Sequence, residues 1–137
     1  MSIRADYRML SKLRRFIATV GAELGLDKPA LDALTLAVDE AATNIIEHAV
    51  RDRPHEITCR CMEDGSRQEV VCVLGYDANG PFQPAALPSR EEISERLRSL
   101  QPGGLGVYLV HSLVDGVEYG REGTTNVIVL RKQKRLG

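Results

Sequence analysis

The sequence predicts an α/β fold, a two-layer sandwich with helices covering one face of a mixed β-sheet. Two long stretches near the N-terminus place apolar residues three and four apart, and two pairs of β-rich runs follow, separated by one more helical stretch. Elements in that order bury their apolar faces most simply as one layer of helices on one sheet.

The first stretch, residues 6–25, carries Leu10, Leu13, Ile17, Val20 and Leu24 as a single helical stripe, and Gly25 ends it. Its other side holds Arg8, Lys12 and Arg15, the pattern of a solvated basic face. Residues 29–50 predict a second helix, with Asp27 as N-cap, Pro29 in the first turn and the stripe Leu31, Leu34, Val38, Ala42, Ile45 and Ile46. Residues 55–64, "HEITCRCMED", and 67–76, "RQEVVCVLGY", meet at the turn signal "EDGS" and predict an antiparallel hairpin. The stretch 77–104 then contains four prolines, with one short helix that a Ser89/Glu92 capping box starts. Long connections of this kind inside a compact domain serve as lids or binding loops, here at about 81–103. A helix at about 105–114 and strands at about 116–121 and 125–132 complete the order.

A chain of 137 residues suits one domain, 1–137, with a sizeable core. Its 18 basic and 19 acidic side chains leave no electrostatic footprint for nucleic acid. The start, "MSIRADYRML", lacks the apolar segment of a signal peptide, and no apolar run reaches membrane-spanning length, so a cytoplasmic location is expected. Cys59 and Cys61 share one face of a predicted strand, but no matching pair completes a zinc site. The three cysteines read as reduced, buried thiols.

Three patches carry more polarity than the fold requires. In "DEAATNIIEH", residues 39–48, Glu40, Asn44 and His48 are four apart and project together from the second helix. A solvated helix face normally carries such residues, but here the neighbours Ala41, Ala42 and Thr43 are small enough to let a ligand approach. A carboxylate there can orient or deprotonate a hydroxyl, and an amide oxygen suits Mg²⁺. In "GYDANGPF", Asp77 ends a strand and sets an acceptor at the rim of a pocket, although Asp, Asn and Gly also make ordinary turns. In "GGLGVYLVHSL", Gly103, Gly104 and Gly106 lead into an apolar helix whose first amides would face an anion. No Gly-Lys-Ser/Thr follows, so this is not a P-loop.

In this order the three patches resemble the bacterial anti-sigma factor serine kinases, the RsbW and SpoIIAB type, within the GHKL group of ATPases with the Bergerat ATP-binding fold. The resemblance runs from the first helix to "TTNVIVLRK". "DEAATNIIEHAV" matches the family's N box, "YDANGPFQP" stands in the place of its first glycine box, and "GGLGVYLVHSLVDGVEY", with Asp115, Glu118 and Tyr119, matches the second. The resemblance implies ATP and Mg²⁺ as cofactors. It implies Glu40 as the base that orients a substrate serine, Asn44 as the Mg²⁺ ligand, and His48 in support near the phosphates. It also implies Asp77 as acceptor for the adenine amino group, with Gly80 in the same box, and Gly103, Gly104, Leu105, Gly106 and Val107 as the phosphate-wrapping segment. Thr124 or Thr125 would support the adenine. Implied partners are a STAS-domain anti-anti-sigma protein as substrate, a sigma factor, and a second copy in a homodimer.

One departure stands in the first glycine box. The family's Asp-x-Gly is here Asp77-Ala78-Asn79, with Gly80 one place late. Asn tolerates left-handed backbone geometry better than most residues, which lets the turn survive without glycine, but Asn79 adds a side chain where the base would lie. A rival reading keeps the fold without the chemistry, as a module that acts only by sequestering a partner. Asn79 favours that rival, and Glu40 with Asn44 opposes it.

Overall fold

A computed structural model describes residues 1–49, 56–80 and 105–134, except for the side chains of residues 48, 49 and 105–108. After a short strand β1 (Ser2–Arg4) and a 3-10 turn at Tyr7–Met9 come helices α1 (Leu10–Glu23) and α2 (Lys28–Asn44). A π-helical turn, Ile45–Ala49, continues α2. Strands β2 (Glu56–Asp64) and β3 (Glu69–Asp77) follow, then helix α3 (Leu105–Leu113) and strands β4 (Gly116–Glu122) and β5 (Thr125–Gln133). The proposed lid at 81–103 and its Ser89/Glu92 helix lie outside the described residues.

Both predicted helix punctuation marks act as expected. Gly25 takes φ +102, its N–H bonds the Ala22 carbonyl, and the Leu26 N–H reaches the Gly21 carbonyl. This is the paired closure that satisfies the last carbonyls of a helix, and a glycine adopts the left-handed residue at least cost. Asp27 Oδ1 accepts from the Ala30 N–H at 3.0 Å and caps α2. Leu10, Leu13 and Ile17 of α1 and Leu34, Ala37, Val38, Ala41 and Ala42 of α2 are buried. They form one core with Ile57, Cys59, Cys72, Leu74, Tyr76, Ile128 and Leu130 of the sheet.

The five strands lie in the order β1-β2-β3-β5-β4, and all four pairings are antiparallel. The mixed sheet expected from the sequence is therefore corrected. β3 and β4 do run the same way, as a strand–helix–strand crossover requires, but β5 folds back from the Gly123 turn into the gap between them. No two parallel strands are left adjacent. The other departure is β1, which pairs with the edge of β2 through Ser2↔Thr58, Ile3↔Ile57 and Arg4↔Glu56. Among the described residues, no helix is long and apolar enough to cross a membrane.

Candidate functional site

The direction of α2 across the sheet decides where the site lies. Asp27, Pro29 and Ala30 share a cleft of about 300 Å³ with Lys132, Gln133 and Lys134, so the start of α2 sits over the end of β5. From Lys28 to Asn44 the helix advances roughly 24 Å, and β5 covers a similar roughly 26 Å back to Thr125. Asn44 thus lies at the end of α2 away from this cleft, and Thr125 with its partner Asp77 lies at the end of β5 away from it. Asp115 lines the same cleft just beyond the end of α3, so the first turn of α3 is the end of that helix away from the cleft. Glu40 and Asn44, the Asp77–Thr125 pair and the first turn of α3 each lie at the end of their own element away from the cleft. We discount that cleft as the functional site: Lys132 and Lys134 are already engaged by Asp115 and Glu63.

Glu40 is half-buried near the end of α2. Desolvation holds its carboxyl above the ordinary glutamate range, and the charges of Asp39 and Glu47 push the same way. A carboxylate tuned upward is a better proton acceptor near neutrality than one left in water. Asp39 is itself held by Arg14 of α1 at 2.9 Å. Asn44, one turn on, is also half-buried. Thr43 Oγ1 donates back to the Asp39 carbonyl at 2.8 Å, and the Ile45 N–H is shared between Ala41 and Ala42. These competing bonds loosen the ladder where the α-helix gives way to the π-turn. The wider turn alters the azimuth of whatever follows Asn44, so four-residue stacking describes Glu40 and Asn44. The side chain of His48 lies outside the described residues.

Across the sheet end, Thr125 Oγ1 donates to Asp77 Oδ1 at 2.8 Å. The two residues are register partners on β3 and β5. Thr124 instead bonds through its backbone, accepting from the Ala78 N–H at 3.0 Å. The structure thus separates two threonines that the sequence left equivalent. The turn that follows Asp77 is tied down by residues the motif did not include. Asn126, only 1% exposed, donates through Nδ2 to the Gly80 carbonyl at 2.9 Å and to the Tyr76 hydroxyl at 3.3 Å. Its Oδ1 accepts from Arg121, which also donates to the Ala78 carbonyl, each at 2.9 Å. Neither Asn79 nor Gly80 has positive φ, so the turn does not draw on the left-handed geometry that asparagine tolerates. Side chains from β4 and β5 hold the loop, and backbone strain is not needed.

Asn126 and Arg121 were the readable residues that motif reasoning missed. In "TTNVIVL" the strand alternation puts Asn126 on the same face as Ile128 and Leu130, and an amide among core positions signals a hydrogen-bonding task.

Gly103 and Gly104 lie outside the described residues, and for Leu105, Gly106 and Val107 only the helical backbone is described. Those three open α3, whose first N–H groups have no partner within the helix and carry its positive dipole end. Among the described residues no three His, Cys, Asp or Glu side chains gather as a metal cage. Mg²⁺ keeps its waters and takes most other ligands from phosphate, so it needs few protein oxygens, and the half-buried Asn44 is the candidate donor of one.

A five-stranded antiparallel sheet covered by helices, with an acidic helix end and an Asp–Thr pair, is the framework of a kinase-like ATPase. Residues 3–132 match the histidine kinase-like ATPase domain, and the chain belongs to that family. Among curated relatives, it is 25% identical over 138 residues to the serine-protein kinase RsbW of Bacillus cereus (strain G9842), covering 98% of this chain and 84% of that protein. The RsbW of Bacillus mycoides (strain KBAB4) matches at the same identity and coverage. Among solved structures, the histidine kinase domain of the Erythrobacter litoralis EL346 blue-light activated histidine kinase superposes with TM-score 0.57 at 17% identity. That match covers 93% of this chain and 60% of that one, and it concerns the fold.

Proposed function

We propose that this chain is a Mg·ATP-dependent protein serine kinase and anti-sigma factor, working as one nucleotide-binding unit over residues 1–137 with 81–103 as its lid. Its substrate is a serine on a STAS-domain anti-anti-sigma protein, and its second partner is a sigma factor held when that antagonist is phosphorylated. The observation that carries this reading is the Thr125 hydroxyl held on Asp77 across the ends of β5 and β3, in a chain whose residues 3–132 match the histidine kinase-like ATPase domain.

Bound Mg·ATP supplies the transferable phosphoryl group and the cation that offsets its charge. Asp77, oriented by Thr125, would accept from the adenine amino group, and Gly80 would border the base. Asn44 contributes the protein oxygen to Mg²⁺. The N–H groups of Gly103, Gly104, Leu105, Gly106 and Val107 face the phosphates, with His48 in support. Glu40 accepts the proton of the substrate serine hydroxyl, a role its raised proton affinity suits. A phosphoserine adds roughly −1.5 to −2 charge to the antagonist and ejects it from the shared surface. The chain works in the cytoplasm as a homodimer, binding neither nucleic acid nor membrane.

Incubation with Mg·ATP and a STAS-domain partner is the test. The wild type transfers phosphate to serine, and Glu40→Gln loses on the order of 10²–10⁴ in rate while still binding ATP. Absence of transfer by the wild type, or full activity in the variant, overturns the kinase reading. A second reading, sequestration without catalysis, is favoured by the exposed Asn79 side chain at the base edge. Calorimetry showing no ATP binding would select it.

A further inference from the structure

Three cysteines occur in the sequence, and the fold brings all of them to the core-facing side of one hairpin. Cys61 on β2 is the direct register partner of Cys72 on β3, and Cys59 lies two residues away on the same face of β2. The type of pair matters. The Cys59 N–H bonds the Met1 carbonyl at 2.8 Å, and the Cys59 carbonyl accepts from the Met1 amine, so the backbone polar groups of Cys59 point away from β3. Strand alternation turns those of Cys61 the same way. Cys61 and Cys72 therefore form a non-hydrogen-bonded pair, the closer of the two antiparallel pair types, with Cα atoms about 4.5 Å apart. That separation falls within the range of roughly 4.4–6.8 Å that a disulfide spans.

The three thiols are not equivalent. Cys59 and Cys72 are fully buried, whereas Cys61 is partly exposed. Hydrogen bonds from the Cys59 and Cys72 thiols hold the Cys61 thiol well below its ordinary proton affinity, against the opposing effect of burial. The same contacts, together with burial, push Cys59 and Cys72 upward. The reactive form of cysteine is the thiolate, and the most exposed member of the cluster is the one that favours it.

We propose that Cys61 and Cys72 form a peroxide-responsive thiol pair, in which Cys61 is the attacking sulfur and Cys72 the resolving one. The Cys61 thiolate attacks a hydroperoxide oxygen, and the O–O bond breaks. Cys61 becomes a sulfenic acid and the distal oxygen leaves as hydroxide or alkoxide. The Cys72 sulfur then attacks the Cys61 sulfur, gives up its proton, and displaces the sulfenic oxygen as water. Two thiols are oxidised to one disulfide and one peroxide is reduced by two electrons. The product joins β2 to β3 within one chain.

The test uses the reduced full chain, treated with stoichiometric hydrogen peroxide, alkylated and digested with trypsin. Cleavage after Arg60 and Arg67 places the three cysteines on three different peptides, so the linkage is read without ambiguity. The expected product is a disulfide between peptides 61–67 and 68–90 in protein that runs as a single chain on non-reducing denaturing gels, absent in Cys61→Ser. In Cys72→Ala the same treatment leaves a dimedone-reactive sulfenic acid on peptide 61–67. A bridge through Cys59, a bridge only between chains, or no bridge overturns the proposal. The wild-type peptide map decides alone if a variant fails to fold.

Discussion

Thr125 Oγ1 and Asp77 Oδ1 lie 2.8 Å apart, donor to acceptor, across the ends of β5 and β3. The threonine orients a carboxylate that is otherwise open to water. Thr125→Val keeps the shape and removes the donor. We expect ATP affinity to fall about tenfold, or about 1.4 kcal/mol, with little change in stability. Thr124→Val, which leaves the Thr124 backbone contact intact, should bind as the wild type does. Isothermal calorimetry on both variants checks the contrast.

Asn126 is a different case, because it is buried with Tyr76 and its other partners, Arg121 and Gly80, are partly buried. Asn126→Ala strands the Gly80 carbonyl and a nitrogen of Arg121, and it removes a contact of the Tyr76 hydroxyl. The expected loss is about 3 kcal/mol in urea unfolding, larger than for any single surface contact. ATP affinity should fall too, since the loop after Asp77 loses its ties.

The pH dependence follows from the sign of the Glu40 shift. Burial and the charges of Asp39 and Glu47 raise its proton affinity, so the acid limb of the transfer rate should lie above the ordinary glutamate value. Asp39→Asn removes one of those charges and should move the limb to lower pH. Arg14→Ala leaves Asp39 without its cation and should move it higher. Stability is linked in the same sense. A carboxyl whose folded-state proton affinity is raised favours the fold at low pH, and that contribution is lost as pH rises through the folded value. Glu40→Gln should therefore be slightly more stable than wild type at neutral pH, and scanning calorimetry at two pH values checks it.

Leu34 is fully buried at the centre of α2. Leu34→Ala leaves a cavity beneath the helix that carries Glu40 and should cost about 3 kcal/mol in chemical denaturation.

The sequence made α1, α2 and both hairpins legible because each carries a clean period and clear punctuation at Gly25, Asp27 and the 63–66 turn. It left β1 unread, since a three-residue strand with Ile3 as its single buried side chain has no period to detect. It placed Glu40 and Asn44 on one face correctly, as local spacing does. It left the two threonines undecided, because only cross-strand register distinguishes Thr125 from Thr124. It left the conformation of the Asn79 turn open for a related reason. The hydrogen bonds that hold that turn come from Arg121 and Asn126, more than forty residues away.

Those long-range ties join the loop after β3 to the tip of the β4–β5 hairpin as one mechanical unit. Hairpin tips ordinarily tolerate inserted residues well. Here an insertion at Gly123 would be transmitted straight to Asp77 without passing through the core, so this surface turn should prove as unforgiving of lengthening as an interior position.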